Sequence, residues 1–127
     1  MGVGGPDLTT DPSSPTEHPI VTVVVPTLNE AKNLPHVLPG IPEEYEVVVV
    51  DGHSADATIE VAIALRPSVR VIQQPGFGKG DALAAGFEAA HGDIIVMLDA
   101  DGSADAAEIP RFVEHFKRMQ ISRRAAF

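Results

Sequence analysis

Ile94-Ile95-Val96-Met97-Leu98-Asp99-Ala100-Asp101-Gly102-Ser103 is the stretch from which the rest of the chain can be read. Its five apolar residues follow Gly92-Asp93 and predict a buried strand that runs out on two carboxylates. Residues two apart in an extended chain point the same way, so Asp99 and Asp101 are expected to aim at one spot. Like charges repel there unless a hard cation lies between or beside them, and the spacing therefore asks for a divalent metal. Set against this, an isolated Asp-x-Asp after a strand is more often a turn former or helix cap, because Asp bonds readily to its own backbone. The surrounding sequence has to decide.

Upstream, Gln73-Gln74-Pro75-Gly76-Phe77-Gly78-Lys79-Gly80 reads as a glycine-rich loop, followed by a helix from Asp81 to Ala90 with Leu83, Ala84, Phe87 and Ala90 on one side. A short strand, Val69 to Ile72, precedes that loop. Before it, Glu46 to Val50 is a β-branched strand ending on Asp51-Gly52-His53-Ser54. Asp56 can cap the next helix, where Ile59, Ala62, Ile63 and Arg66 keep helical spacing until Pro67. The first strand is Ile20 to Val25, stopped by Pro26; Thr27 to Glu30 turn the chain into a helix from about Ala31 to Leu38, ended by Pro39. Downstream, Ile109, Phe112, Val113 and Phe116 recur at i, i+3, i+4 and i+7 and predict a last helix with one buried face. Residues 1–18, rich in Gly, Pro, Ser and Thr, are expected to form a disordered arm, residues 19–119 the folded domain, and residues 120–127 an irregular tail.

Strands alternating with helices specify an α/β fold: a Rossmann-like parallel sheet flanked by helices and joined by right-handed crossovers. Such sheets bind ligands outside the C-terminal ends of their strands. Pro26 to Glu30, Asp51, the glycine loop and the Asp pair all fall at that edge. The loop is not a phosphate-binding P-loop, since Gln73 and Gly80 stand where glycine and Ser or Thr are required. A dinucleotide fingerprint starting at Gly78 fails at its sixth position, Leu83, and follows the third strand instead of the first.

Composition narrows the classes. With 127 residues, 44% of them hydrophobic, the chain holds one domain at most. Eighteen acidic residues against nine basic give a net charge of −9 and argue against nucleic acid as a partner. The absence of cysteine excludes disulfides and thiolate metal sites, and five scattered histidines show no zinc spacing. Nothing approaches the roughly 20 apolar residues of a membrane span or the pattern of a signal peptide, so the chain reads as soluble and cytoplasmic. Lys117, Arg118, Arg123 and Arg124 gather near the end and read as a solvated helix terminus.

Four segments together carry a resemblance: Val-Pro-Thr-Leu-Asn-Glu at 25–30, Val-Asp-Gly-His-Ser at 50–54, Gly-Lys-Gly-Asp-Ala-Leu at 78–83 and Leu-Asp-Ala-Asp-Gly-Ser at 98–103. In this order they resemble family 2 glycosyltransferases of the GT-A fold, closest in character to the polyprenyl-phosphate (dolichol-phosphate) mannosyltransferase-like branch, over roughly Val21 to Phe116. The resemblance implies that Pro26, Leu28 and Glu30 line a base and ribose pocket, that Val49 and Asp51 continue it with Asp51 accepting from a base N–H, and that Lys79 meets phosphate. It implies that Asp99, Ala100 and Asp101 contact the nucleotide and that Asp99 and Asp101 bind Mg2+ or Mn2+, with Ser103 as a further ligand or water holder. The donor would be a GDP- or UDP-linked sugar, transferred with inversion to an acceptor such as a lipid phosphate at the inner face of a membrane.

The resemblance covers only the nucleotide-binding half of that fold. Gln120 to Phe127 do not look like the family's continuation, so the acceptor half and any catalytic base are expected to be absent from a truncated chain. Two other classes remain: a non-catalytic fragment that binds nucleotide or self-associates through an exposed sheet edge, and a nucleotidyltransferase. The second is disfavoured because Pro26 to Glu30 lack the glycine-rich, basic loop that class carries after its first strand.

Overall fold

The computed structural model describes residues 20–119. The expected disordered arm and irregular tail lie outside these residues. Four strands, β1 (Val21–Thr27), β2 (Glu46–Asp51), β3 (Arg70–Gln73) and β4 (Ile94–Met97), form one parallel sheet in the order β3-β2-β1-β4. The helices are α1 (Leu34–Val37), α2 (Thr58–Leu65), α3 (Lys79–Ala89) and α4 (Ile109–Met119).

The valine runs are explained by burial on both faces. Val21, Val23, Val25, Val47, Val49, Ile94 and Val96 pack on the side of α1, α2 and α4, while Val24, Val48, Val50 and Ile95 meet α3 on the other. Alternation along each strand thus feeds two apolar layers, which is why the sequence shows continuous runs with no polar face.

Pro26 does not stop β1. Pairing with β4 ends at Val24↔Met97, and the Leu98 amide donates to the Val24 carbonyl at 2.9 Å. Pro26 lies two residues on, facing the same side, so the N–H it lacks has no partner to lose. The other side continues, with the Gly52 amide donating to Thr27 O at 2.8 Å.

The first helix is shorter than expected. Residues 31–33 form a turn, α1 is a single turn containing Pro35, and a 3-10 turn at Leu38–Gly40 incorporates Pro39 instead of stopping there. Two prolines four apart leave too few backbone donors for a regular helix. Helix α3 starts earlier than expected, so Lys79 and Gly80 belong to its first turn. Its most buried positions are Ala82 and Gly86; of the side expected from the sequence, Ala90 is buried and Phe87 packs against the same core, whereas Leu83 is half-buried and Ala84 exposed. A Cβ on Gly86 would stand 2.4 Å from Val24 Cγ1, so small residues let the helix sit close on the sheet.

At the N-terminal ends of the strands, Glu46 ties three segments together. Its carboxylate accepts from Thr22 Oγ1 at 2.6 Å, the His91 amide at 2.9 Å and Arg70 Nη1 at 3.1 Å, and lies 2.8 Å from His91 Nδ1. Arg66, buried after α2, donates to the carbonyls of Ile41, Pro42, Glu43 and Tyr45 and so holds the approach to β2. No helix among the described residues is long and apolar enough to cross a membrane.

Candidate functional site

All four strands point their C-terminal ends at one edge, and the order reverses around β1: the chain builds β2 and β3 to one side and returns to add β4 on the other. A crevice at that reversal is the expected ligand position in an open α/β sheet. A cleft of ≈ 350 Å³ occupies it, and Pro26, Leu28, Glu30, Lys79, Asp99, Ala100 and Asp101 all line it.

One wall is the turn after β1, laced to the turn after β2. Asn29 takes a left-handed conformation, φ 57°, which asparagine tolerates better than most residues. From there its Oδ1 accepts from the amides of Ala55 at 2.7 Å and Asp56 at 3.3 Å, and its own amide donates to Ser54 Oγ at 2.8 Å. The Glu30 amide donates to Thr58 Oγ1 and the Ala31 amide to Asp56 Oδ2. Asp56 also accepts from the amide and hydroxyl of Thr58, bracing the start of α2 from one position before its cap. Leu28 is left 57% exposed on the cleft, and Glu30 Oε1 accepts from Asn33 Nδ2 at 2.8 Å.

The opposite wall is the glycine loop. Gln74 Nε2 donates to Gly78 O and the Gly76 amide donates to Asp81 Oδ2, each at 2.8 Å, so the loop is held by its own helix. Gly78 has φ 88°, a conformation that favours glycine, and Lys79 follows as the first residue of α3. Phe77, which lines the cleft, is 86% exposed, its ring 5.6 Å from that of His53.

The Asp pair is not on extended chain. β4 ends at Met97, and the backbone turns through Ala100 and Gly102, the latter at φ 81°. The Ser103 amide donates to Asp101 Oδ1 at 2.9 Å, the local side-chain bond that makes aspartate a turn former. Both carboxylates nevertheless line the one cleft. Asp99 Oδ1 lies 2.7 Å from Lys79 Nζ. That hydrogen bond and charge raise the lysine above its ordinary range, while the Ser103 hydroxyl and amide, then the Lys79 charge, hold Asp101 below the usual carboxylate range.

Val49, Asp51 and Ser103 are not brought to the cleft lining. Val49 is fully buried in the sheet core. Asp51 is also fully buried: its carboxylate accepts from Thr27 Oγ1 at 2.9 Å, the Ser54 amide at 2.9 Å and Ser54 Oγ at 2.6 Å. Those bonds fasten the β2 turn to β1. Ser103 is spent on Asp101. The sequence reading missed the contributions of Asn29, Gln74 and Phe77. A lone aromatic within a glycine loop was the available signal for Phe77, whereas nothing local marks Gln74 for burial.

The donor set fits a hard divalent ion of the Mg2+ type. Asp99 and Asp101 supply two exposed carboxylates, and no group of three His, Cys, Asp or Glu able to hold a metal occurs among the described residues. Mg2+ commonly takes one or two carboxylates and completes its octahedron from waters and substrate phosphates. A second hollow, ≈ 950 Å³, runs along Leu98 and α4 and holds none of the ten residues expected to bind nucleotide or metal.

Comparison with known proteins agrees with this architecture. Over 93 residues the chain is 45% identical to a protein of Mycobacterium tuberculosis described as an uncharacterized glycosyltransferase, covering 73% of this chain and 42% of that one. It is 37% identical over 111 residues to the undecaprenyl-phosphate 4-deoxy-4-formamido-L-arabinose transferase of Aeromonas hydrophila, covering 78% of this chain and 34% of that protein. The chain therefore spans well under half the length of these relatives. The structure matches glucosyl-3-phosphoglycerate synthase from Mycobacterium tuberculosis, solved with Mn2+, UDP and phosphoglyceric acid, at a TM-score of 0.67 and 30% identity over 76% of this chain and 38% of that one. The sheet and its flanking helices are those of the GT-A fold. The model of the family "Glycosyl transferase family 2" matches residues 22–121, through all four strands and the cleft on which they end, and the chain belongs to that family.

Proposed function

We propose that the cleft holds the nucleoside diphosphate of a UDP- or GDP-linked sugar together with Mg2+ or Mn2+, and that the sugar passes with inversion to an acceptor such as a polyprenyl phosphate at a membrane surface. The observation that carries this reading is a single cleft lined by Leu28 and Glu30 from the turn after β1, by Asp99 and Asp101 from the loop after β4, and by Lys79 paired with Asp99. Leu28 and Pro26 would offer apolar contact to base and ribose, Glu30 would accept from a ribose hydroxyl, and Lys79 would meet phosphate. Asp99 and Asp101 would hold the metal, with Ser103 orienting Asp101. When bound, the metal supplies positive charge to the diphosphate as the anomeric C–O bond breaks.

The UDP and Mn2+ of the matched synthase support the donor assignment. The undecaprenyl-phosphate transferase relative supports a lipid phosphate as acceptor, whose oxygen is already anionic and needs no strong base. Acceptor-binding groups would lie in the portion of the relatives outside the matched residues, and donor binding is the part of the reaction that the cleft itself would carry. Calorimetric titration with UDP and with GDP, in Mn2+ or in EDTA, tests the donor site. Metal-dependent binding that Asp101→Ala removes is the expected result; a folded chain that binds neither nucleotide would refute it.

A second reading, a non-catalytic module that self-associates through the outer edge of β4, draws on that strand's pairing with β1 alone among the described residues. Sedimentation that depends on protein concentration would favour it.

A further inference from the structure

Among the described residues, Lys79 is the one basic residue lining the cleft, against Glu30, Asp99 and Asp101, and it is spent on Asp99. Two carboxylates without a third side-chain ligand already make a weak resting site for a divalent ion. An ammonium 2.7 Å from one of them weakens it further, because an arriving metal must displace that ammonium and then stand near its charge.

Resting on the reading of the cleft as a diphosphate site, we propose that Lys79 is a resident counter-ion which withholds Asp99 from free divalent metal and releases it when a diphosphate enters to take the ammonium. The pair is built to open. Its side chains are 57% and 38% exposed, so solvent screens the attraction and little stability is lost on parting. Lys79 sits on the first turn of α3 with its long, flexible stem free to swing, and the diphosphate supplies negative charge for both cations at once. Metal and nucleotide then bind as a unit, each raising the other's affinity by the same factor. The cell's free Mg2+ would not load the site without donor.

The test titrates Mn2+ alone, and Mn2+ with UDP or GDP, into the full chain and into Lys79→Met, following free Mn2+ by electron paramagnetic resonance. Lys79→Met is expected to bind Mn2+ alone at least roughly tenfold more tightly than the unmodified chain, and to lose a similar factor of the enhancement that nucleotide gives. Lys79→Gln should behave in the same way, and circular dichroism checks that each variant is folded. Equal affinity for Mn2+ alone in all three chains overturns the proposal, as does the absence of Mn2+ binding from all three. Failure of the donor reading shows separately, as a chain whose Mn2+ affinity responds to Lys79 while neither nucleotide binds.

Discussion

Burial alone would raise the Glu46 carboxyl, yet the hydrogen bonds from Thr22, the His91 amide and ring, and Arg70 outweigh it and hold the group at about 2, against 4.5 for an ordinary glutamate. The folded pKa lies below the unfolded one. Its stabilisation is therefore complete above pH 4.5 and is lost as pH falls from there toward 2. Urea unfolding across that window should show stability declining, and Glu46→Gln should remove on the order of 2 kcal/mol at pH 7 and flatten the decline. A variant with an unchanged slope would show that the carboxylate is not what the acid limb titrates. Asp51, at the other end of the same strand, is a second carboxylate held by hydrogen bonds to neighbouring segments. Asp51→Ala leaves the Thr27 hydroxyl and the Ser54 amide and hydroxyl without their acceptor, for an expected loss of about 2–3 kcal/mol. The ratio of UDP to GDP affinity should stay as it was; a changed ratio would return Asp51 to the base pocket.

Helix α3 shows how an element can be read correctly and faced only in part: Phe87 and Ala90 pack on the core as expected, Ala84 does not. Its existence followed from the alanine-rich pattern after the glycine loop, but its buried side is chosen by the smallest residues, because Gly86 meets Val24 where no side chain fits. Gly86→Ala is expected to destabilise the protein by about 1–3 kcal/mol in denaturant titration, despite alanine's better helix propensity. A neutral or stabilising outcome would mean the helix can lift from the sheet at no cost. The strands were legible for a simpler reason: burial on both faces writes an unbroken Val and Ile run, as in Val47 to Val50. The end of β1 was less so, because whether Pro26 is tolerated depends on where a different strand stops. For the candidate site, seven of the ten residues expected to act there line the cleft, since strand ends in a parallel sheet share one edge. Asp51 and Val49 could not be sorted from sequence, because their surroundings come from other elements: Thr27 on β1, Ser54 beyond the turn, and the helices above the core.

At the scale of the whole molecule, the strand order β3-β2-β1-β4 sets a timetable for folding as well as a shape. The β1–β2 pairing links Thr22 to Glu46, whereas β1–β4 pairing links Val21 to Ile94, so the second closure spans about three times the chain and costs more loop entropy. As the polypeptide leaves a ribosome, β1, β2 and β3 are available together while β4 is still to come. Pulsed hydrogen exchange during refolding should protect the β1–β2 ladder before the Leu98 amide; simultaneous protection would contradict this order. Until β4 docks, β1 presents one open, almost wholly apolar edge, the kind of template on which nascent chains aggregate. The loop bearing Asp99 and Asp101 hangs from the strand that closes that edge, so the same event that ends the period of risk also completes the cleft.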